Sequence, residues 1–211
     1  MMLGDANRRQ HLYEEGIRRS KEALEIYERM EDAEGQGKCW STLGWLLLDN
    51  RQLDAAEEAG SHAIKLFLDQ GRELWVCTSH RLLGVIHRSK GEPGKAIGHF
   101  EAAIRIASPI DWHSELFWTH FALAELFCDK NEFGNAQSHI ERAKSHTIDD
   151  ALNLGCAMGQ QANIWYHQGR LEEGKAEVLR AIETFEKLGA TADLSVSRNI
   201  LRLIERAIER Q

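Results

Sequence analysis

Ten histidines and four cysteines are the side chains of this 211-residue chain best suited to metal or acid–base chemistry. His80 and His87 lie seven residues apart, as do His113 and His120, which puts each pair on one face of a helix. Zinc needs three or four converging ligands at about 2.0–2.3 Å. Neither an H-E-x-x-H nor a C-x-x-C occurs, and Cys39, Cys77, Cys128 and Cys156 are scattered. Such thiols read as small buried hydrophobes rather than a disulfide or zinc set, and the histidines as packing residues. Ser79 beside His80 and His113 beside Ser114 make no nucleophile–base pair, because helical neighbours point about 100° apart. The run Gly91-Glu92-Pro93-Gly94-Lys95 has neither the spacing nor the hydroxyl of a phosphate loop. The expectation is a chain that is not an enzyme and holds no metal or cofactor. Buried histidines should resist protonation, so charging several near pH 5 should loosen the packing.

Composition describes the elements that carry these residues. Hydrophobic residues make up 43% of the chain and charged ones 28%, with two prolines and four valines. That bias favours helix and excludes a turn-dense β sandwich. A net charge of -7 argues against nucleic acid as a partner. Leu43–Leu48, the densest apolar run, is far short of the roughly 20 residues of a membrane helix. The first residues lack the basic and apolar segments of a secretory signal. No membrane partner and a cytoplasmic address are expected.

A repeat organises the sequence. Leu43-Gly44, Leu83-Gly84 and Leu123-Ala124 recur every forty residues, and Gln161-Ala162 follows after thirty-eight. Twelve residues beyond each small residue stands another, Ala56, Ala96, Ala136 and Gly174; seven further stand Ala63, Ala103, Ala143 and Ala181. Projection backwards lands on Gly4, Gly16 and Ala23, with Tyr13 in the bulky slot held elsewhere by Leu53, Pro93, Phe133 and Leu171. Two antiparallel helices per unit explain the pattern, the small residues marking where one helix closely approaches the other. Turns are expected at Asp49-Asn50, Lys90-Gly91, Lys130-Asn131 and Gln168-Gly169. One pair alone would leave an apolar face wet, so pairs must stack.

These residues resemble the tetratricopeptide repeat, whose signature is W-x2-L-G-x2-Y followed by spaced alanines. Repeat two reads Trp40-x2-Leu43-Gly44-x2-Leu47, repeat three His80-x2-Leu83-Gly84-x2-His87, and repeat four His120-x2-Leu123-Ala124-x2-Phe127. Repeat five departs most, with Met158 and Gln161. The period near forty is similar to the longer variety in kinesin light chain and in arrays associated with NACHT or NB-ARC modules. The resemblance implies an all-α fold, a right-handed α–α superhelix of about five helix pairs. Residues 1–211 read as one domain, with repeats at about 1–33 (incomplete), 34–72, 73–110, 111–149 and 150–189 and a capping helix at 192–210. The truncated opening unit suggests a fragment of a longer protein, or a unit completed by a neighbouring copy.

The resemblance also assigns a concave groove lined by the opening helix of each pair. Its positions hold Lys38, Ser41, Trp45 and Asp49; Thr78, Arg81, Val85 and Arg88; Trp118, Phe121, Glu125 and Asp129; and Gly159, Asn163, Tyr166 and His167. Aromatic anchors beside charges suit a protein or peptide ligand, with apolar side chains against Trp45 and Phe121 and an acidic group at Arg81 or Arg88. Trp45 and Trp118 could equally fill space between repeats. Some relatives clamp the acidic tail of heat-shock proteins with Lys, Asn and Arg, but Ser41, Trp45, Arg81 and Val85 lack that Lys/Asn pair, which disfavours such a tail. The function so implied is a protein-interaction scaffold, the recognition or oligomerisation arm of a larger cytoplasmic signalling protein. A self-associating homodimer and a small-molecule or metal sensor are the alternatives.

Overall fold

The computed structural model describes residues 2–210, with side chains described from residue 11 to residue 210. Its secondary structure is helical throughout, in two compact units, Met1–Ile110 and Asp111–Gln211. The first unit comprises α1 (Met2–Arg29), α2 (Ala33–Asp49), α3 (Leu53–Asp69), α4 (Glu73–Ser89), α5 (Pro93–Ala107) and a 3-10 turn at Ser108–Ile110. The second comprises α6 (His113–Asp129), α7 (Phe133–Ser145), α8 (Ala151–His167), α9 (Leu171–Leu188) and α10 (Thr191–Ile208). The repeat thus takes the form of antiparallel pairs α2–α3 and α4–α5 in one unit, α6–α7 and α8–α9 in the other. No described helix is long and apolar enough to cross a membrane.

Short turns stop the helices through one backbone device. After α4 the chain turns at Gly91 (φ 74°), and the Glu92 amide bonds back to the His87 carbonyl. The same six-to-one bond closes α6 through Asn131 and α8 through Gly169, satisfying carbonyls a helix end leaves orphaned. After α2 the left-handed residue is Arg51 (φ 60°), one place beyond the Asn50 expected from sequence, and in register with Gly91 and Asn131. An L-residue there costs about 1–2 kcal/mol, while glycine loses more chain entropy on folding. Arg51→Gly should therefore raise the unfolding free energy by about 0.5–1 kcal/mol in urea melts; a loss of stability would mean the arginine side chain outweighs its backbone cost.

The turn projected into the opening unit does not form, because α1 runs unbroken from Met2 to Arg29. His11 occupies the register of Arg51 and Gly91, yet the surrounding Arg8-Arg9-Gln10-His11 run offers no glycine or asparagine to turn on. Ion pairs of Arg18 with Glu15 and Glu22, and of Arg19 with Glu15, run along the helix instead. Leu3 and Gly4, from which that unit was projected, lie outside the residues whose side chains are described.

The recurring small residues are where the helices touch. Ala56, Ala96, Ala136, Ala63, Ala103, Ala143 and Ala181 are fully buried, and Gly44, Gly84 and Gly174 are buried with them. A Cβ on Gly44 would sit 2.6 Å from Leu82 and 3.6 Å from the Ala56 carbonyl oxygen, so α2 lies almost on the α3 backbone. Large side chains from the closing helices fill the remaining space: Phe67, Phe100 and Ile140 are wholly buried. Each such burial contributes about 1.5–3 kcal/mol. At the end of the second unit, α10 lays Ile204 into the core, with Ile200, Leu201, Ala207 and Ile208 half-buried beside it. Arg198, Arg202 and Arg206 stay exposed on its other face.

Candidate functional site

In the first unit α2 and α4 lie side by side, and the register that buries Leu43 and Leu82 turns the next face of each helix outward. Trp45 on that face of α2 is half-buried, its indole packed against the Leu43–Leu82 core, as is Val85 of α4. Arg81 of α4 stacks over the indole, its guanidinium carbon 5.1 Å from the ring centroid. A guanidinium lying over an aromatic face gains cation–π attraction, and its planar fork is the group that takes a carboxylate by two hydrogen bonds. Arg88, half-buried, follows two turns along the same face. The structure thus gathers Trp45, Arg81 and Val85 into one patch. Trp45 serves as filler with its inner edge and as surface with the rest. Lys38 stands apart, exposed, paired with Glu34 at 2.6 Å and with its ammonium 5.2 Å from the Trp75 centroid. Ser41 is half-buried between the two groups.

In the second unit the expected residues divide. Phe121 and Glu125 of α6 line a cleft of about 130 Å³ together with Cys156, Gly159 and Gln160 of α8, Phe185 of α9, and Asp193, Val196, Ser197 and Ile200 of α10. Trp118, 37% exposed, stands edge-on to Phe117 and Phe121 at 5.0 and 5.9 Å. Asn163 and Tyr166 are not part of the cleft; Tyr166 packs toward Ile204 and meets the His167 ring edge-on. Sequence alone does not point to the α10 residues, because that helix reads only as a cap. Gly159 is the one cue, a residue without side chain on a groove face. Burial and the neighbouring Asp193 push the Cys156 thiol up to about 12, so it stays protonated.

Histidines form pairs that sequence reasoning missed. The Nδ1 atoms of His80 (α4) and His99 (α5) are 3.0 Å apart, and those of His120 (α6) and His139 (α7) 3.1 Å apart. A third pair, His113 with His146, also meets at 3.1 Å. The signal is present: nineteen residues separate His80 from His99 and His120 from His139, and one period of forty separates the two pairs. Each contact needs one ring to donate and the other to accept, so a pair keeps its bond only while the accepting nitrogen is unprotonated. Burial pushes His99 down to about 4, with charge repulsion from His80 and His87 adding to it. His120, 5% exposed, is likewise down to about 4 through burial, then His139 and Arg142. His87, 3% exposed, instead bonds Glu92 at 2.8 Å. The expectation that His87 and His120 are packing residues agrees with this burial. Among the described residues no three His, Cys, Asp or Glu side chains converge as a metal site.

The chain matches no family model and no curated protein sequence. Solved structures do resemble it. BtubC (BKLC) from P. vanneervenii superposes with a TM-score of 0.70 over 94% of this chain and 91% of that one, at 16% identity. A putative kinesin light chain with nearly identical TPR-like repeats from Podosopora anserina gives 0.63 over 87% and 92%, at 15% identity. A Rap protein complexed with competence and sporulation factor gives 0.66 over 96% of this chain and 62% of that one, at 14% identity. The fold is that of a TPR-like helical-repeat protein. In TPR-like terms the Trp45–Arg81 patch and the Phe121–Glu125 cleft both sit on opening helices of their pairs.

Proposed function

We propose that this TPR-like chain is a protein-interaction scaffold that takes a peptide or an exposed segment of a partner protein on its opening helices. The observation that carries the reading is Arg81 stacked on Trp45, a preoriented cation on an aromatic anchor. Stacking removes rotamer freedom before a partner arrives, so less entropy is lost on binding. A partner would set a carboxylate against Arg81 or Arg88 and an apolar side chain against the remaining indole surface. The Rap neighbour with its bound factor supports this reading by analogy of fold. In this reading the chain binds rather than catalyses, works without metal or cofactor, and serves a larger cytoplasmic signalling protein.

The test is selection of binding peptides from a random library displayed on phage, followed by titration of the selected peptides against variants. Arg81→Ala should weaken peptides carrying an acidic residue at least tenfold, about 1.4 kcal/mol. Trp45→Ala should do the same, with circular dichroism to confirm that the helices persist. Affinities within threefold of the parent for both variants would sink the assignment.

A further inference from the structure

The cleft of the second unit holds a buried polar group that the helices themselves do not use. Ser197 of α10, 2% exposed, turns its hydroxyl oxygen toward Gly159 of α8, where a built Cβ would stand 3.4 Å from it. Among the described residues that hydroxyl has no hydrogen-bond partner. Asp193 stands one turn earlier on the same face of α10, and among the same residues its carboxylate meets only the Cys156 thiol, at a long 3.9 Å. We propose that this cleft is a binding site for a phenol, a single aromatic ring carrying a hydroxyl. The site lies wholly within the second unit and does not depend on the Trp45–Arg81 patch or on the peptide reading.

Size selects the ring, and the two polar groups select its substituent. The cleft holds about 130 Å³, close to the roughly 150 Å³ in which an apolar cavity accepts benzene. Phe121, Phe185 and Ile200 supply apolar walls, and Gly159 leaves the space beside Ser197 open. A ring beside Phe121 or Phe185 gains from offset or edge-on packing. A bare hydrocarbon would cover Asp193 and Ser197 and satisfy neither, which costs free energy. A phenolic hydroxyl satisfies both: it donates to the Asp193 carboxylate in a charge-assisted bond and accepts from the Ser197 hydroxyl. An ammonium would have to give up its hydration between walls that are largely carbon, whereas a neutral phenol brings no charge to desolvate. A ring carrying a carboxylate or a phosphate is repelled by Asp193.

Titrations into isotope-labelled protein, following the amide resonances of Gly159, Ser197 and Ile200, test the site without any partner protein. p-Cresol and anisole are isomers of equal size, but only p-cresol has an O–H to donate. Taken to about 10 mM, a range suited to ligands this small, p-cresol should give saturable shifts. It should bind at least about fivefold tighter than anisole and than benzylammonium. Asp193→Ala should abolish the preference for p-cresol over anisole, and Ser197→Ala should weaken p-cresol at least about threefold. Circular dichroism would confirm that both variants keep their helices. Equal affinity for the two isomers, tighter binding of benzylammonium, full p-cresol affinity in both variants, or no shift across the range would each overturn the site. N-acetyl-tyrosinamide separates the sources of a phenol: binding as tight as p-cresol assigns the cleft to a tyrosine side chain, and weaker binding assigns it to a free phenol.

Discussion

Lowering the pH from 7 to 5 is expected to reduce the thermal midpoint by about 10 °C, and the paired histidines are the cause. In the unfolded chain a histidine takes its proton near 6.5; in the folded chain His99 and His120 take it only near 4. Between those values the unfolded state binds more protons, so stability falls as the pH falls. The contribution is fully present above about 6.5 and exhausted below about 4. By pH 5 each of these two groups costs about 1–2 kcal/mol, allowing for partial relaxation and solvent screening, and 1 kcal/mol moves the midpoint of a chain this size by about 2–4 °C. Different groups face each pair. His99 is faced by His80 and His87, but Glu57 opposes the repulsion, and Arg105 bears on His80. His120 meets His139, Arg142 and His146, all of which disfavour its charge. His99 and His120 both take their proton only near 4, so the two units should lose comparable stability. The carboxylates in ion pairs, such as Glu15, Glu34, Glu92 and Glu132, are held below their usual range, so their contribution is present above about pH 4.5 and is lost only as the pH falls below it.

The chain supplies its own control. Repeat two fills the slots of His80 and His99 with Trp40 and Ala59, one large and one small side chain that do not titrate. Copying that solution as His120→Trp with His139→Ala should remove half or more of the acid-induced drop, read by calorimetry at both pH values. An undiminished drop in the double variant would assign the effect to other groups.

What the sequence showed and what it hid follow from the range of the forces involved. Small residues in phase marked the helix contacts because close packing tolerates nothing larger at Ala56 or Ala96, so position alone carried the information. The turns were legible to within one residue, and the slip at Arg51 arose because the backbone demanded a left-handed residue where no glycine or asparagine was available. The unbroken α1 was hidden by projecting a period into a segment without a turn former. His99 and His139 were missed because their mark, a spacing of nineteen repeated after forty residues, runs from one helix to the next rather than within one. The α10 wall of the cleft was missed for the same reason: Asp193 and Ser197 acquire their meaning only opposite Gly159 and Phe121. Of the residues expected along the groove, Trp45, Arg81 and Val85 came together in one unit and Phe121, Glu125 and Gly159 in the other, while Asn163 stayed out of the cleft and Tyr166 packed toward Ile204.

Two alanine substitutions at glycines should move stability in opposite directions. In an open helix, glycine to alanine gains about 1 kcal/mol, because alanine loses less backbone entropy. Gly98, inside α5, has open space where a Cβ would stand, with nothing within 4 Å, so Gly98→Ala should stabilise the first unit by about 0.5–1 kcal/mol. Gly84, inside α4, faces the Phe100 ring, and a Cβ there would lie 2.5 Å from the nearest ring carbon. Phe100 is wholly buried and has no open side to retreat into. Overpacking of this kind costs about 1–3 kcal/mol, so Gly84→Ala should destabilise by up to about 2 kcal/mol after about 1 kcal/mol of helix gain is deducted. The consequence reaches the binding face. α4 carries Arg81 as well as Gly84, and pushing that helix off Phe100 changes the position of the guanidinium relative to the Trp45 ring. Gly84→Ala should therefore also weaken acidic peptides selected on the parent, although Gly84 touches none of them. Urea melts of the two variants, with peptide titration of each, check both parts. A stabilised Gly84→Ala would show that Phe100 yields and that the close approach of α4 to α5 does not hold the Arg81 patch in place.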